Sequence, residues 1–169
     1  DSWQVRQSPT CMKYINQIRD KVYILGNPNI LSQTQEENWL LSNPVYKNKR
    51  ANQEQENIFA RCFERDFRCL YGDSKFNSLI SFDGYGELWV YRFAYAKTNA
   101  KKIIYLHNDM KGEFDVKFPY LEKIFNVYKY FDHILSVSRE LSDLNRDNLS
   151  DTYQVECDKF DFMNNIIDY

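Results

Sequence analysis

Between residues 76 and 163 the chain alternates between two hydrophobic periods, and that alternation constrains its fold more than any other feature. Four short apolar runs have strand length: "NSLISF" (77–82), "KKIIYL" (101–106), "HILSVS" (133–138) and "KFDFMNN" (159–165). Between them lie segments whose apolar residues recur three or four apart, the spacing of one helix face. In "PYLEKIFNVYKYFD" these are Leu121, Ile124, Phe125, Tyr128 and Phe131, with Pro119 near the start. "ELWVYRFAYAK" and "RELSDLNRDNL" are the other two helical segments, and "HNDMKGEFDVKF" reads as an exit loop. Strand and helix in strict alternation mean βαβ units, which need parallel strands and right-handed crossovers. The expected class is therefore α/β: a Rossmann-like, doubly wound, mainly parallel sheet with helices on both faces.

The first 75 residues are less regular. "TCMKYINQIRD" (10–20) reads as a short helix and "KVYILG" (21–26) as a strand. Thr34 stands three residues before Glu37, the spacing of a capping box, and opens a short helix through Trp39 and Leu41. Pro28 and Pro44 punctuate this stretch, and the polar tract 47–57 is an exposed loop or the start of a helix. "NIFARCFERDFRCLYG" then places Ile58, Phe59, Cys62, Phe63, Phe67 and Leu70 on one side of a helix closed by Gly72. The whole is expected to be one domain over 1–169: an irregular part to 75, a regular core over 76–163, and a hinge-like ending at 164–169.

A net charge of −2 gives no electrostatic footprint for nucleic acid. The apolar runs are too short to span a bilayer, and "DSWQVRQSPTCMKY" has no apolar signal-peptide core. Cys11, Cys62, Cys69 and Cys157 form no CxxC pair and have no histidine at zinc spacing, so free thiols in a reducing compartment are expected. The aromatic side chains are assigned to packing.

In an open parallel sheet, ligands bind beyond the carboxyl ends of the strands. Three loops fall there. In "IIYLHNDMKGEF", His107, one of only two histidines, is the first residue after the strand, followed by Asn108 and Asp109. An imidazole in that place can hydrogen-bond a sugar hydroxyl or steady a departing phosphate. The competing reading is that it bonds its own loop while Asp109 caps a turn. In "DGYG", Asp83 and Tyr85 flank glycines that let backbone approach a ligand, or merely make a tight turn. Gly84 and Gly86 fit neither GxGxxG nor a P-loop, and Asp83 and Glu87 can equally be caps. Ser138, leaving the third strand, suits an N-cap as well as a ligand contact. His133, opening a strand, reads as structural. Lys111, Lys117, Lys123 and Lys129 suit a solvated face better than an anionic membrane surface.

"FDGYGELWVYRFAYAK", "IIYLHNDMKGEF", "YKYFDHILSVSREL" and "KFDFMNNIIDY", in that order over residues 76–169, resemble the first domain of glycosyltransferase family 4 (group 1) enzymes. The nearest likeness is to bacterial members that build cell-surface polymers of the teichoic-acid type. The resemblance implies the N-terminal, acceptor-side half of a GT-B enzyme, a retaining hexosyltransferase of cell-wall polysaccharide biosynthesis. Such an enzyme transfers a sugar from a nucleotide-sugar to a polymer or glycolipid acceptor without a metal or other cofactor. His107 then stands where the family's donor-facing histidine stands. Asp83, Gly84, Tyr85, Gly86, Asn108, Asp109 and Ser138 fall to the substrate-binding loops, and "MNNIIDY" to the hinge. The partner implied is a C-terminal donor-binding domain. The place implied is the cytoplasm, with peripheral contact at the inner membrane face allowed and no nucleic acid partner.

Two departures stand beside the likeness. No glycine-rich loop follows the first strand, and the donor-binding domain is not within these residues, so the chain reads as a fragment or a natural half-protein with little activity alone. Two other classes remain: a non-catalytic Rossmann-like binding or assembly module, which would show an apolar surface patch, and a self-sufficient nucleotide-binding enzyme, which lacks a visible phosphate cradle.

Overall fold

The computed structural model describes residues 9–17 and 53–165. The chain divides into two compact units, residues 1–34 and 35–169. In the first, α1 (Pro9–Gln17) is the helix expected over 10–20, with proline at its first position, where a missing N–H costs nothing. The strand expected at 21–26 and the capping-box helix after Thr34 lie outside the described residues.

The second unit contains the sheet. It enters through α2 (Gln53–Tyr71), which starts inside the polar tract and ends at Gly72, whose φ of +56° lets its N–H reach the Arg68 carbonyl at 2.7 Å. Phe59, Phe63 and Phe67 are buried along one side of α2. Then follow β1 (Ser78–Ser81), α3 (Glu87–Tyr95), β2 (Lys101–Leu106), α4 (Met110–Val116), α5 (Leu121–Phe125), a 3-10 turn at Tyr128–Tyr130, β3 (His133–Ser136), α6 (Arg139–Tyr153), a second 3-10 turn at Cys157–Lys159, and β4 (Phe160–Phe162).

The four strands are parallel and ordered β1-β2-β3-β4, with Ile103 between Ile80 and His133, and Ser136 between Leu106 and Phe162. This is the expected Rossmann-like α/β class, an all-parallel sheet flanked by helices. The described order advances in one direction, as in one half of a doubly wound sheet, so right-handed crossovers all return over the same face. Burial agrees. Leu79, Ser81, Ile104, Leu106, Ile134, Ser136 and Phe160 are buried on the face that packs with α3, α5 and α6, whereas Ile80 and Phe82 on the other are 53% and 61% exposed.

Two elements differ from the sequence reading. The exit loop after β2 contains α4, because Asp109 caps it by accepting the Gly112 N–H at 3.0 Å. The helix expected over "PYLEKIFNVYKYFD" stops at Phe125 and tightens into 3-10 turns. There Asn126 spends its side-chain amide on the Glu122 carbonyl, and Val127 and Tyr130 bond three residues back rather than four. Among the described residues no helix is long and apolar enough to cross a membrane, and no cluster of three or more metal-ligating side chains occurs.

Candidate functional site

Because β1, β2 and β3 are neighbours, the three loops at their carboxyl ends come together, and hydrogen bonds join them. His107 leaves β2 on the exposed face of the sheet, half-buried. Its Nε2 lies 2.8 Å from the Phe82 carbonyl at the end of β1. A carbonyl oxygen only accepts, so Nε2 must carry the proton, and in the neutral ring Nδ1 is the acceptor. The ring stands edge-on to Phe82 and Tyr105, both centroids 5.0 Å away. His107 therefore bonds across to the neighbouring strand end rather than within its own loop.

Tyr105 is buried beneath this pair. Its hydroxyl donates to the Met163 carbonyl, with Asn165 Oδ1 at 3.2 Å, tying β2 to the segment after β4. Phe82 stacks flat on Tyr105, 5.1 Å between centroids at 10°, and leaves its other face open. Sequence reasoning missed both rings. Each sits inside a strand-like run, where an aromatic reads as core, and the only signal was Phe82's position at the strand's last residue.

Asn108 is exposed and donates to the Tyr85 hydroxyl at 2.8 Å, linking the second loop to the first. With that acceptor used, the Tyr85 proton is left to point elsewhere. Partial burial pushes the Tyr85 phenol up, against the opposing pull of the Asn108 bond. The Tyr85 ring also meets Phe118 edge-on at 5.6 Å.

The remaining predicted positions serve the backbone. Asp83 Oδ1 accepts the Tyr85 N–H at 3.1 Å and the Gly86 N–H at 3.4 Å, which makes it a turn-former. Gly84 is buried with φ +68°, and a Cβ there would lie 2.9 Å from Leu106 Cδ2, so the glycine lets the loop lie on β2. Gly86, the α3 N-cap, has an ordinary φ of −75° and room for a side chain, so conformation does not require it. Asp109 caps α4. Ser138 caps α6 by accepting the Leu141 N–H at 3.2 Å, while the Glu140 carboxyl is held low by its own N–H and then by the Ser138 hydroxyl. Both capacities of that hydroxyl are used locally.

The third loop joins through Asn145, a fully buried residue of α6 that bonds to Met110, Asn108 and Ser136. At the opposite end of the sheet a surface cavity of about 490 Å³ is lined by Arg68, Asp73, Lys75, Lys97 and Thr98 among others, away from these loops. Compared with models of known protein families and with curated protein sequences, the chain matches none.

Proposed function

We propose that residues 53–165 form the acceptor-side lobe of a retaining glycosyltransferase that moves a sugar from a nucleotide-sugar to a cell-surface polymer or glycolipid. The observation that carries the reading is His107. A lone imidazole sits at the end of a sheet strand, its Nε2 held by the Phe82 carbonyl and its Nδ1 left as an acceptor beside an exposed aromatic ring. That pairing suits a sugar: an aromatic face takes the apolar side of a pyranose, and a fixed acceptor takes one hydroxyl. Asn108 and the Tyr85 hydroxyl supply further polar contacts at the same rim. No metal is required of these residues. The lobe that would grip the donor phosphates is a partner in this reading, because stabilising charge between sugar and leaving group takes both walls of a cleft.

The test is transfer by the protein joined to its donor-binding domain. His107→Ala is expected to lower kcat/KM at least about a hundredfold with unchanged melting, the scale of losing a group acting only in the transition state. Near-normal turnover removes His107 from the mechanism.

A second reading, a non-catalytic binding or assembly module, is favoured by one observation, the exposed Ile80 and Phe82 on one side of the sheet, with Met163 exposed just after β4. It predicts that His107→Ala changes nothing measurable in association with a partner.

A further inference from the structure

Asn145 lies on the buried side of α6 with Ser142, Leu149 and Tyr153, where an apolar residue would be the default. A fully buried amide is costly unless its capacity is used. Here Oδ1 accepts the Met110 N–H at 3.0 Å, and Nδ2 donates to the Asn108 carbonyl at 3.1 Å and to Ser136 Oγ at 3.3 Å. The partners fix which way the amide points, since an N–H only donates and a carbonyl only accepts. One side chain thus satisfies the first N–H of α4 and the carbonyl two residues before it, and ties both to the end of β3. Asp109 cannot do this, because its carboxylate, which accepts the Gly112 N–H, has no proton to donate to the Asn108 carbonyl.

We infer that Asn145 is a positioning residue: it clamps the turn that carries His107, Asn108 and Asp109, and so fixes the tautomer in which His107 is presented. The clamp holds both backbone groups that flank Asp109, one residue beyond the His107–Asn108 pair. Without it the turn has a buried donor and a half-buried acceptor left unpaired, and the favourable response is to shift the turn toward water. Such a shift withdraws His107 Nε2 from the Phe82 carbonyl and frees the ring to exchange tautomers. The inference concerns the turn whatever it binds, so it stands apart from the transferase reading.

The test needs no ligand. In isotope-labelled protein at about pH 9, where imidazoles are neutral, the ring nitrogen resonances of His107 are expected to show one tautomer, protonated at Nε2. His133, at the exposed start of β3, is the internal control. Asn145→Leu, nearly isosteric, is expected to bring the two His107 nitrogens toward averaged shifts and leave His133 unmoved. It should also speed Met110 amide exchange about tenfold to a hundredfold. Asn145→Asp keeps the acceptor for Met110 but turns an oxygen on the Asn108 carbonyl, so it should disturb His107 while protecting Met110 better than leucine does. Unchanged His107 resonances in either folded variant overturn the inference. Should neither fold, the wild-type protein decides: Met110 must exchange with the buried amides of α6, and exchange as fast as an exposed loop amide overturns it equally.

Discussion

At Gly84 the chain turns with a positive φ against the side of Leu106, a residue with no exposed surface and no room to retreat. Gly84→Ala combines left-handed strain with a Cβ only 2.9 Å from Leu106 Cδ2 and is expected to lower stability by about 1–3 kcal/mol, read from denaturant midpoints. Gly86→Ala, lacking both features, should cost under about 1 kcal/mol. Tyr128 offers the reverse case. Its hydroxyl is buried with no hydrogen-bond partner among the described residues, and burial pushes the phenol well above its ordinary value. Below about pH 10 both folded and unfolded chains keep the proton, and the group has no pH effect. Above it the unfolded chain releases a proton the folded one retains, so stability falls with rising pH by up to about 1.4 kcal/mol per unit. Tyr128→Phe removes an unsatisfied hydroxyl, so it is expected to be neutral or stabilising by about 1 kcal/mol and to flatten that alkaline limb in pH-dependent denaturation. At this scale the sequence is legible only where chemistry is scarce. His107 stands out because histidines are few, and Asp109 and Ser138 because caps have short-range signatures. Phe82, Tyr105 and Asn145 carry the same site but look like ordinary strand and helix residues, because their roles depend on partners 9 to 60 positions away.

The helices α2 and α3 meet through an aromatic layer, Phe59 and Phe63 against Tyr91 at 5.6 and 5.1 Å, and through a buried pair, Arg92 and Asp66, with Nε 3.8 Å from Oδ2. The Arg92 guanidinium also lies 4.7 Å from the Trp89 ring centre. A buried pair contributes little net stability, but removing one partner leaves the other buried charge with less to offset it. Asp66→Ala is therefore expected to cost about 1–3 kcal/mol, whereas Asp66→Leu combined with Arg92→Met should cost less, and a double-mutant cycle on thermal or denaturant unfolding checks the difference. Element by element, β1 to β4 were readable because each is a short apolar run between turn residues. The α2 helix was readable in its second half, where phenylalanines recur at helical spacing. What escaped was the seven-residue α4, whose cap at Asp109 competed with a glycine that suggested a loop. The break after Phe125 escaped too, since a side chain of Asn126 turning back on Glu122 leaves no mark on the apolar period.

The whole sheet unit presents two unlike faces. Three crossovers bury one, while Ile80, Phe82 and Met163 remain 53%, 61% and 51% exposed, with Ile80, Phe82 and the half-buried Ile103 and Leu135 on the side opposite those crossovers. Parallel sheets are ordinarily covered on both faces, so this surface separates the two functional readings. Phe82 belongs to the His107 rim, but Ile80 lies two residues upstream along β1 and Met163 follows β4. If the unit acts on a sugar at the strand ends, replacing Ile80 and Met163 with threonine should leave saccharide binding within about twofold, while Phe82→Ala should weaken it about tenfold, the scale of one aromatic contact. If the unit is an assembly module, the same threonine pair should abolish association, and Phe82→Ala should act as only one contributor among three. Titration calorimetry with saccharides and sedimentation velocity, run on both variants, give opposite patterns for the two cases. The expected pattern is the first, because Phe82 alone of the three is held by Tyr105 and His107 in a fixed orientation, and a fixed ring costs a ligand less ordering entropy than a mobile one.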